Sequence, residues 1–326
     1  MSLAFVFPGQ GSQAVGMLSG IAERPEVAAL LRSADSVLGE SLSELIANGP
    51  AEALALTANT QPAMLLAGLA FLAAWRAQGG VEPAFVAGHS LGEYTALAAA
   101  GAIDAEAAFR LVRIRANAMQ QAVPVGTGSM AAILGLTDDQ VREACRLAVG
   151  GAAGSAQGAV SEVVEPANYN APAQVVIAGH KAAVERACVQ AKALGAKRAL
   201  PLAVSAPFHS SLLAPAGAVL RDALADINLG APRIALINNV DVAIETDPAR
   251  IRDALVRQSF SPVRWVETVQ ALAARGVTRI IEFGPGKVLS GLVKRIAPGI
   301  EADCVHDVAS LERVLAATRA AGPPAN

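Results

Sequence analysis

With 326 residues, 53% of them apolar and 17% charged, the chain can bury a substantial core and form about two domains, or one large domain carrying a smaller insert. Its 26 Lys and Arg nearly balance its 28 Asp and Glu, so the formal charge of −2 gives no overall field aimed at nucleic acid, and no such partner is expected. Its three cysteines, Cys145, Cys188 and Cys304, are widely spaced without a C-x-x-C pair, which gives neither a disulfide framework nor a zinc knot and fits a reducing, cytoplasmic setting.

In chain order, Leu3–Phe7 (LAFVF) reads as a strand, and no basic segment precedes it, which argues against export. Pro8–Gln13 is a glycine loop, and Val27–Leu38 and Pro62–Trp75 read as helices. The latter is the most apolar stretch, but its 14 residues are too few to span a bilayer, so it is expected as a buried core helix and no membrane partner is expected. A short apolar run, Ala84–Ala87, leads through Gly88-His89-Ser90-Leu91-Gly92 into a helix from about Leu91 to Ala100, and a further helix covers Ala105–Gln121. Strand, tight turn and helix in that order predict a mostly parallel sheet covered on both faces.

The rhythm changes after Gly126. Ser129–Leu134 reads as a strand, Asp138–Ala148 as a helix, Val163–Tyr169 and Gln174–Ala178 as strands, Lys181–Leu194 as a helix and Arg198–Val204 as a strand. That β-α-β-β-α-β order predicts a small ferredoxin-like subdomain, residues 126–204, inserted into a large α/β-hydrolase-like domain made of residues 1–125 and 205–326. A cleft between the two should follow. The glycine-rich run 150–160 reads as a mobile surface loop without catalytic importance. Helices are then expected over Leu212–Asp226, Asp253–Gln258 and Val266–Arg275, strands over Arg233–Asn238 and Arg279–Phe283, and a last helix through Val293 after Gly284-Pro285-Gly286. Residues 320–326 read as a frayed end.

The G-x-S-x-G at residues 88–92 is a nucleophile elbow: a sharp strand-to-helix turn pushes Ser90 out of the sheet and aims the first amides of the next helix at a developing oxyanion. Acyl transfer or hydrolysis is therefore the first reading. A serine nucleophile needs a base, and the chain has four histidines. His89 follows the turn in another direction and reads as structural or oxyanion-side; His180 begins a helix; His306 lies in Cys304–Val308, a possible late strand. His209, in Pro207-Phe208-His209-Ser210, stands where the insert rejoins the large domain, and a loop histidine there can bring a ring nitrogen to within about 3 Å of a serine oxygen.

Taken together, Phe7-Pro8-Gly9-Gln10-Gly11-Ser12-Gln13, Gly88-His89-Ser90-Leu91-Gly92-Glu93-Tyr94 and Phe208-His209-Ser210 resemble the acyl-carrier-protein S-malonyltransferases of type II fatty acid synthesis. Asn168-Tyr169-Asn170-Ala171-Pro172, Asn238-Asn239-Val240-Asp241 and Gly284-Pro285-Gly286-Lys287 extend the resemblance over essentially the whole chain. The resemblance implies that Ser90 carries a malonyl ester, that His209 is its partner in a dyad, and that a main-chain carbonyl at Gln258 orients the histidine. It also implies an oxyanion hole from the backbone N–H groups of Leu91 and Gln10, and Arg115 as the cation for the free malonyl carboxylate. On helix statistics alone Arg115 is a solvated-face residue and Gln10 a solvated loop residue; Arg113 should lie at the surface.

The implied substrates are a coenzyme A thioester, malonyl-CoA, and holo acyl carrier protein, with no cofactor, no metal and a monomeric enzyme. Basic residues near the cleft are expected for an acidic carrier, with Lys181, Arg198, Lys287, Lys294 and Arg295 available. Phe208 should crowd a methyl branch and favour malonyl over methylmalonyl. Competing readings are a malonyl transferase of a malonate decarboxylase or polyketide pathway, a serine hydrolase with an Asp before His306, and a non-catalytic carrier-binding protein on the same fold.

Overall fold

The computed structural model describes residues 2–150, 162–204 and 206–320. The glycine-rich run therefore lies outside the described residues from Gly151 onward, as do Ser205 and the tail from residue 321. In chain order, β1 (Leu3–Phe7) is followed by α1 (Pro25–Leu38), α2 (Leu42–Asn48), α3 (Ala51–Ala55) and α4 (Thr57–Ala77), then β2 (Phe85–Gly88), α5 (Gly92–Ala99) and α6 (Ala105–Gln121). Next come β3 (Gly128–Leu134), α7 (Asp138–Gly150), β4 (Val164–Ala171), β5 (Gln174–His180), α8 (Lys181–Ala193) and β6 (Arg198–Pro201). The chain closes with α9 (Ala214–Ala225), β7 (Ala235–Ile237), α10 (Pro248–Gln258), α11 (Trp265–Ala274), β8 (Arg279–Phe283), α12 (Val288–Ile296), β9 (Glu301–Val305) and α13 (Val308–Ala320).

The first sheet has the order β7-β2-β1-β8-β9, with all its pairings parallel. Parallel strands joined by helices are buried on both faces, and β1 follows that rule: Leu3, Phe5 and Phe7 enter one core, Ala4 and Val6 the other. Phe5 packs edge-on to Phe283 of β8 and to Trp75 of α4, at ring-centroid distances of 4.6 and 5.9 Å. The chain builds outward from β1 to β2 and β7 on one side, then crosses to β8 and β9 on the other. The crevice outside the carboxyl ends of the strands at such a reversal is where open α/β sheets bind ligands.

The second sheet, β4-β5-β3-β6, is antiparallel throughout, and β3-α7-β4-β5-α8-β6 is the ferredoxin-like unit the sequence predicted. Its core is Ala131, Ile133, Val175 and Ile177 from the sheet against Val141, Ala144 and Val184 from the helices. The second sheet is tied to the large unit through β4 and the α10–α11 connection: Tyr169 N–H donates to Val263 O, and Val263 N–H donates to Ala167 O, both at 2.9 Å.

Several boundaries differ from expectation. The α4 helix starts at Thr57 and carries Pro62 inside it, whereas the apolar run puts the start at Pro62. Side-chain bonds from Thr60 Oγ1 to Leu54 O (2.6 Å) and from Asn59 Nδ2 to Ala53 O (2.9 Å) tie the extra turn to α3. The β6 strand ends at Pro201 instead of Val204, because Val204 N–H turns back to Leu202 O. The α10 helix begins at Pro248, capped by Asp247 Oδ1 on Ala249 N–H at 2.9 Å. The helices α2, α3 and α13 were not foreseen.

Glu282 on β8 is fully buried and accepts from Leu289 N–H (3.0 Å) and Ser290 N–H (2.8 Å), which caps α12. Replacing it by leucine orphans two buried donors and should cost about 2–4 kcal/mol, read as a lower urea midpoint; Glu282→Gln should recover part of that loss.

Candidate active site

Phe7 pairs with Gly88, so the loops leaving β1 and β2 run side by side. The second is the elbow. Ser90 adopts φ 54°, a left-handed conformation that costs a non-glycine residue about 1–3 kcal/mol and is kept only where the surroundings enforce it. The flanking glycines are required by close approach: a Cβ on Gly88 would sit 1.9 Å from the Gly92 backbone, and one on Gly92 2.0 Å from Phe7 O. Asn239, just after β7, holds the turn from the other side. Its Oδ1 accepts from Ser90 N–H at 2.7 Å, and its Nδ2 donates to Gly88 O at 2.6 Å.

His209 also has a left-handed backbone, φ 61°, and is buried. Its Nε2 lies 2.6 Å from Ser90 Oγ and its Nδ1 2.9 Å from the Gln258 carbonyl oxygen. A carbonyl only accepts, so Nδ1 carries the hydrogen and Nε2 presents its lone pair to the serine hydroxyl, the tautomer a general base needs. Burial first, and then the nearby Arg115 guanidinium, lower the His209 pKa to about 3. A neutral imidazole is thus the resting form across the neutral range.

Arg115 of α6 is buried, not solvated, and all its polar partners are neutral: Gln61 Oε1 at 2.7 Å, Ser90 Oγ at 3.0 Å and Gln258 Oε1 at 3.0 Å. Its guanidinium also lies over the Tyr94 ring, 5.2 Å from the centroid. Among the described residues no carboxylate forms an ion pair with it. Arg113, expected at the surface, is half-buried against Glu40 and Asn59. Leu91 and Gln10 both line the cavity with Ser90, and neither backbone N–H donates to a described residue.

Ser90, His209 and Arg115 line one cavity of about 300 Å³, together with Met119, Met130, Val176, Leu202, Val204 and Phe208 and with Val288, Leu289 and Leu292 of α12. Of the remaining histidines, His89 also borders the cavity, whereas His180 and His306 do not. His89 Nε2 donates to Asn170 Oδ1 (2.8 Å) and the ring packs edge-on to Trp265, so it bridges the elbow to β4. His180 Nδ1 accepts from Val163 N–H at 2.9 Å. Glu93, Asn239 and Gln61 were missed as site residues; the first two stood inside quoted motifs, and Gln61 is the residue before Pro62. Lys181, Arg198, Lys287, Lys294 and Arg295 are exposed, the last three on or beside α12. Among the described residues no group of three or more His, Cys, Asp and Glu could hold a metal ion, and no helix is long and apolar enough to cross a membrane.

The His209 geometry gives an expected pH dependence. A base held neutral to about pH 3 keeps kcat/KM for acylation level from pH 8 down to about pH 5, with no fall near the ordinary histidine value of 6.5. The sign for stability is opposite. The unfolded chain takes up that proton near 6.5 and the folded one does not, so this contribution to stability is present above that value and is lost as pH falls toward 3. Quench-flow mass analysis across pH checks the first statement, and a plateau lost at pH 6.5 contradicts it.

Residues 4–301 match the family model for the acyl transferase domain. The chain is 51% identical over 313 residues to the malonyl CoA-acyl carrier protein transacylase of Salmonella typhimurium, covering 96% of this chain and 98% of that one. It superposes on the acyl-carrier-protein S-malonyltransferase of Burkholderia pseudomallei 1710b with a TM-score of 0.92 at 57% identity, over 97% of this chain and 100% of that one. A malonyl-transacylase solved in complex with its type II PKS acyl-carrier protein gives 0.92 at 48% identity, again over 97% and 100%. With this identity running through nearly the full length of both sequences, the chain belongs to the acyl transferase domain family and, within it, to the malonyl CoA-acyl carrier protein transacylases.

Proposed function

We propose that the chain transfers the malonyl group of malonyl-CoA to the phosphopantetheine thiol of holo acyl carrier protein through an ester on Ser90, for fatty acid synthesis. One observation carries this reading: Arg115, a buried cation with only neutral partners, stands 3.0 Å from Ser90 Oγ. A planar guanidinium in that place accommodates the free carboxylate of a malonyl group bidentately while its thioester carbonyl meets Ser90.

In the first half-reaction His209 Nε2 takes the Ser90 proton as Oγ attacks the thioester carbonyl. The oxyanion is met by the Leu91 and Gln10 amides, the C–S bond breaks, and CoA leaves as its thiol with the proton from His209. In the second, the carrier thiol gives its proton to His209 and its sulfur attacks the ester; collapse breaks the C–Oγ bond and returns the proton to Ser90. The Gln258 carbonyl keeps the imidazole in the required tautomer and stabilises its cationic form, where many triads use a carboxylate. No step needs a metal or cofactor, and none is proposed.

The further parts of the reading are a cytoplasmic monomer, an inserted unit of residues 126–204 forming one wall of the cleft with 1–125 and 205–326 forming the other, and a carrier that docks on the basic rim at α12. Phe208 in the cavity wall favours malonyl over methylmalonyl by crowding the branch. A polyketide pathway is the second reading, favoured by the likeness to the transacylase seen with a type II PKS carrier. The test is intact-mass analysis after brief exposure to malonyl-CoA, then to holo carrier. A malonyl-sized adduct that passes to the carrier supports the transferase; an adduct that decays to free acid at the same rate with or without carrier points to a hydrolase.

A further inference from the structure

Behind the groups that meet substrate lies a buried polar layer, and it converges on one oxygen. Glu93, in the first turn of α5, is 2% exposed, and its Oε2 accepts from Asn239 N–H at 3.0 Å and from Gln258 Nε2 at 2.9 Å. Asn239 is the residue that holds Ser90 N–H and Gly88 O. Gln258 Nε2 also donates to Ser90 O at 2.9 Å, so both hydrogens of that amide are directed to acceptors and its oxygen is turned toward Arg115. The Gln258 carbonyl oxygen holds His209 Nδ1. Nucleophile, base and carboxylate-binding cation are therefore each one or two bonds from the same carboxyl oxygen.

We propose that Glu93 is a positioning residue for acyl transfer, acting through Asn239 and Gln258 to keep the Ser90 turn, the His209 ring and the Arg115 guanidinium in one frame. Its contribution is the placement of an acceptor atom. Were Gln258 free to rotate its amide, an NH2 group would face the guanidinium, donor against donor, and Arg115 would lose one of its three hydrogen-bond acceptors. Burial, opposed by the Gln258 and Asn239 hydrogen bonds and by Arg115, leaves the Glu93 carboxyl at about 7, so the network already works with that group partly uncharged at neutral pH. The inference rests on the malonyl-transfer reading.

Two mild substitutions separate position from charge. E93Q keeps an acceptor oxygen at the same reach and removes the charge; E93D keeps the charge and draws the acceptor back by about 1.5 Å, one carbon–carbon bond. Acylation by malonyl-CoA and by acetyl-CoA is followed by intact mass, per folded molecule. E93D is expected to acylate with malonyl up to about 10²-fold more slowly and to lose much of the malonyl over acetyl preference, chiefly in kcat; E93Q keeps the preference and the greater part of the rate. A merely structural role lowers the melting temperature of both variants and leaves the preference per folded molecule unchanged, and an electrostatic role makes E93Q the worse of the two; either result overturns the proposal. Wild type runs alongside: if it forms no malonyl-serine, the malonyl-transfer reading fails, whereas a normal wild-type adduct with an unaltered E93D preference sinks only the role of Glu93.

Discussion

Ser90→Ala gains no malonyl-sized mass on exposure to malonyl-CoA, and transfer to the carrier falls by a factor on the order of 10⁴–10⁶. The size of the effect follows from the arrangement. The cavity offers one hydroxyl that is at once 2.6 Å from the His209 ring nitrogen and 3.0 Å from the Arg115 guanidinium. Without it those groups still bind and polarise a thioester, but no ester can form, and a ping-pong route has no second half. His209→Ala should retain some slow adduct formation, because the amides and Arg115 survive. A malonyl adduct of wild-type yield on Ser90→Ala, mapped to another side chain, would remove the elbow from the mechanism.

Arg115→Ala should lower kcat/KM for malonyl-CoA by about 10²–10³-fold, the equivalent of about 3–4 kcal/mol for breaking a buried, hydrogen-bonded charge pair, while acetyl-CoA loses little of what it had. The asymmetry comes from what the substrate brings. A malonyl carboxylate completes a cation whose present partners are two glutamine oxygens and the serine hydroxyl, whereas an acetyl group leaves that cation as it is in the free enzyme. Arg115→Lys keeps the charge but not the fork, and should fall between the two. Competition between the two thioesters, read as the ratio of serine adducts by mass, is the direct measurement. An unchanged ratio in Arg115→Ala would mean that the carboxylate is bound elsewhere.

The parts of this molecule that depend on local pattern were readable in advance. The apolar run Leu3–Phe7, the strand-to-helix step around Ser90 and the β-α-β-β-α-β rhythm each arise within a few dozen residues, and each appears in the structure in the order the pattern gave. The parts that were missed are set by distant neighbours. Pro62 looked like a helix start because the bonds that extend α4 before it run to α3, and nothing in the period of the apolar residues reports them. Arg115 looked solvated from its helix alone, since its burial is decided by Gln61, Tyr94 and Gln258, far along the chain. Glu93 was visible only as the end of a motif. Its partners, Asn239 and Gln258, stand 146 and 165 residues away, a distance across which spacing carries no information.

The order of the strands has a consequence for synthesis. The central strand β1 emerges from the ribosome first, yet its neighbour β8 comes near the end, and Thr278 bonds back to Ser2 across 276 residues. At about 5–20 residues per second, the nascent chain spends many seconds with one edge of β1 unpaired. During that interval Asn239 and then Gln258, whose side chains hold the Ser90 turn, are still to be made. The contacts that join Ser90, His209 and Gln258 are therefore completed late in synthesis, after most of the chain has emerged.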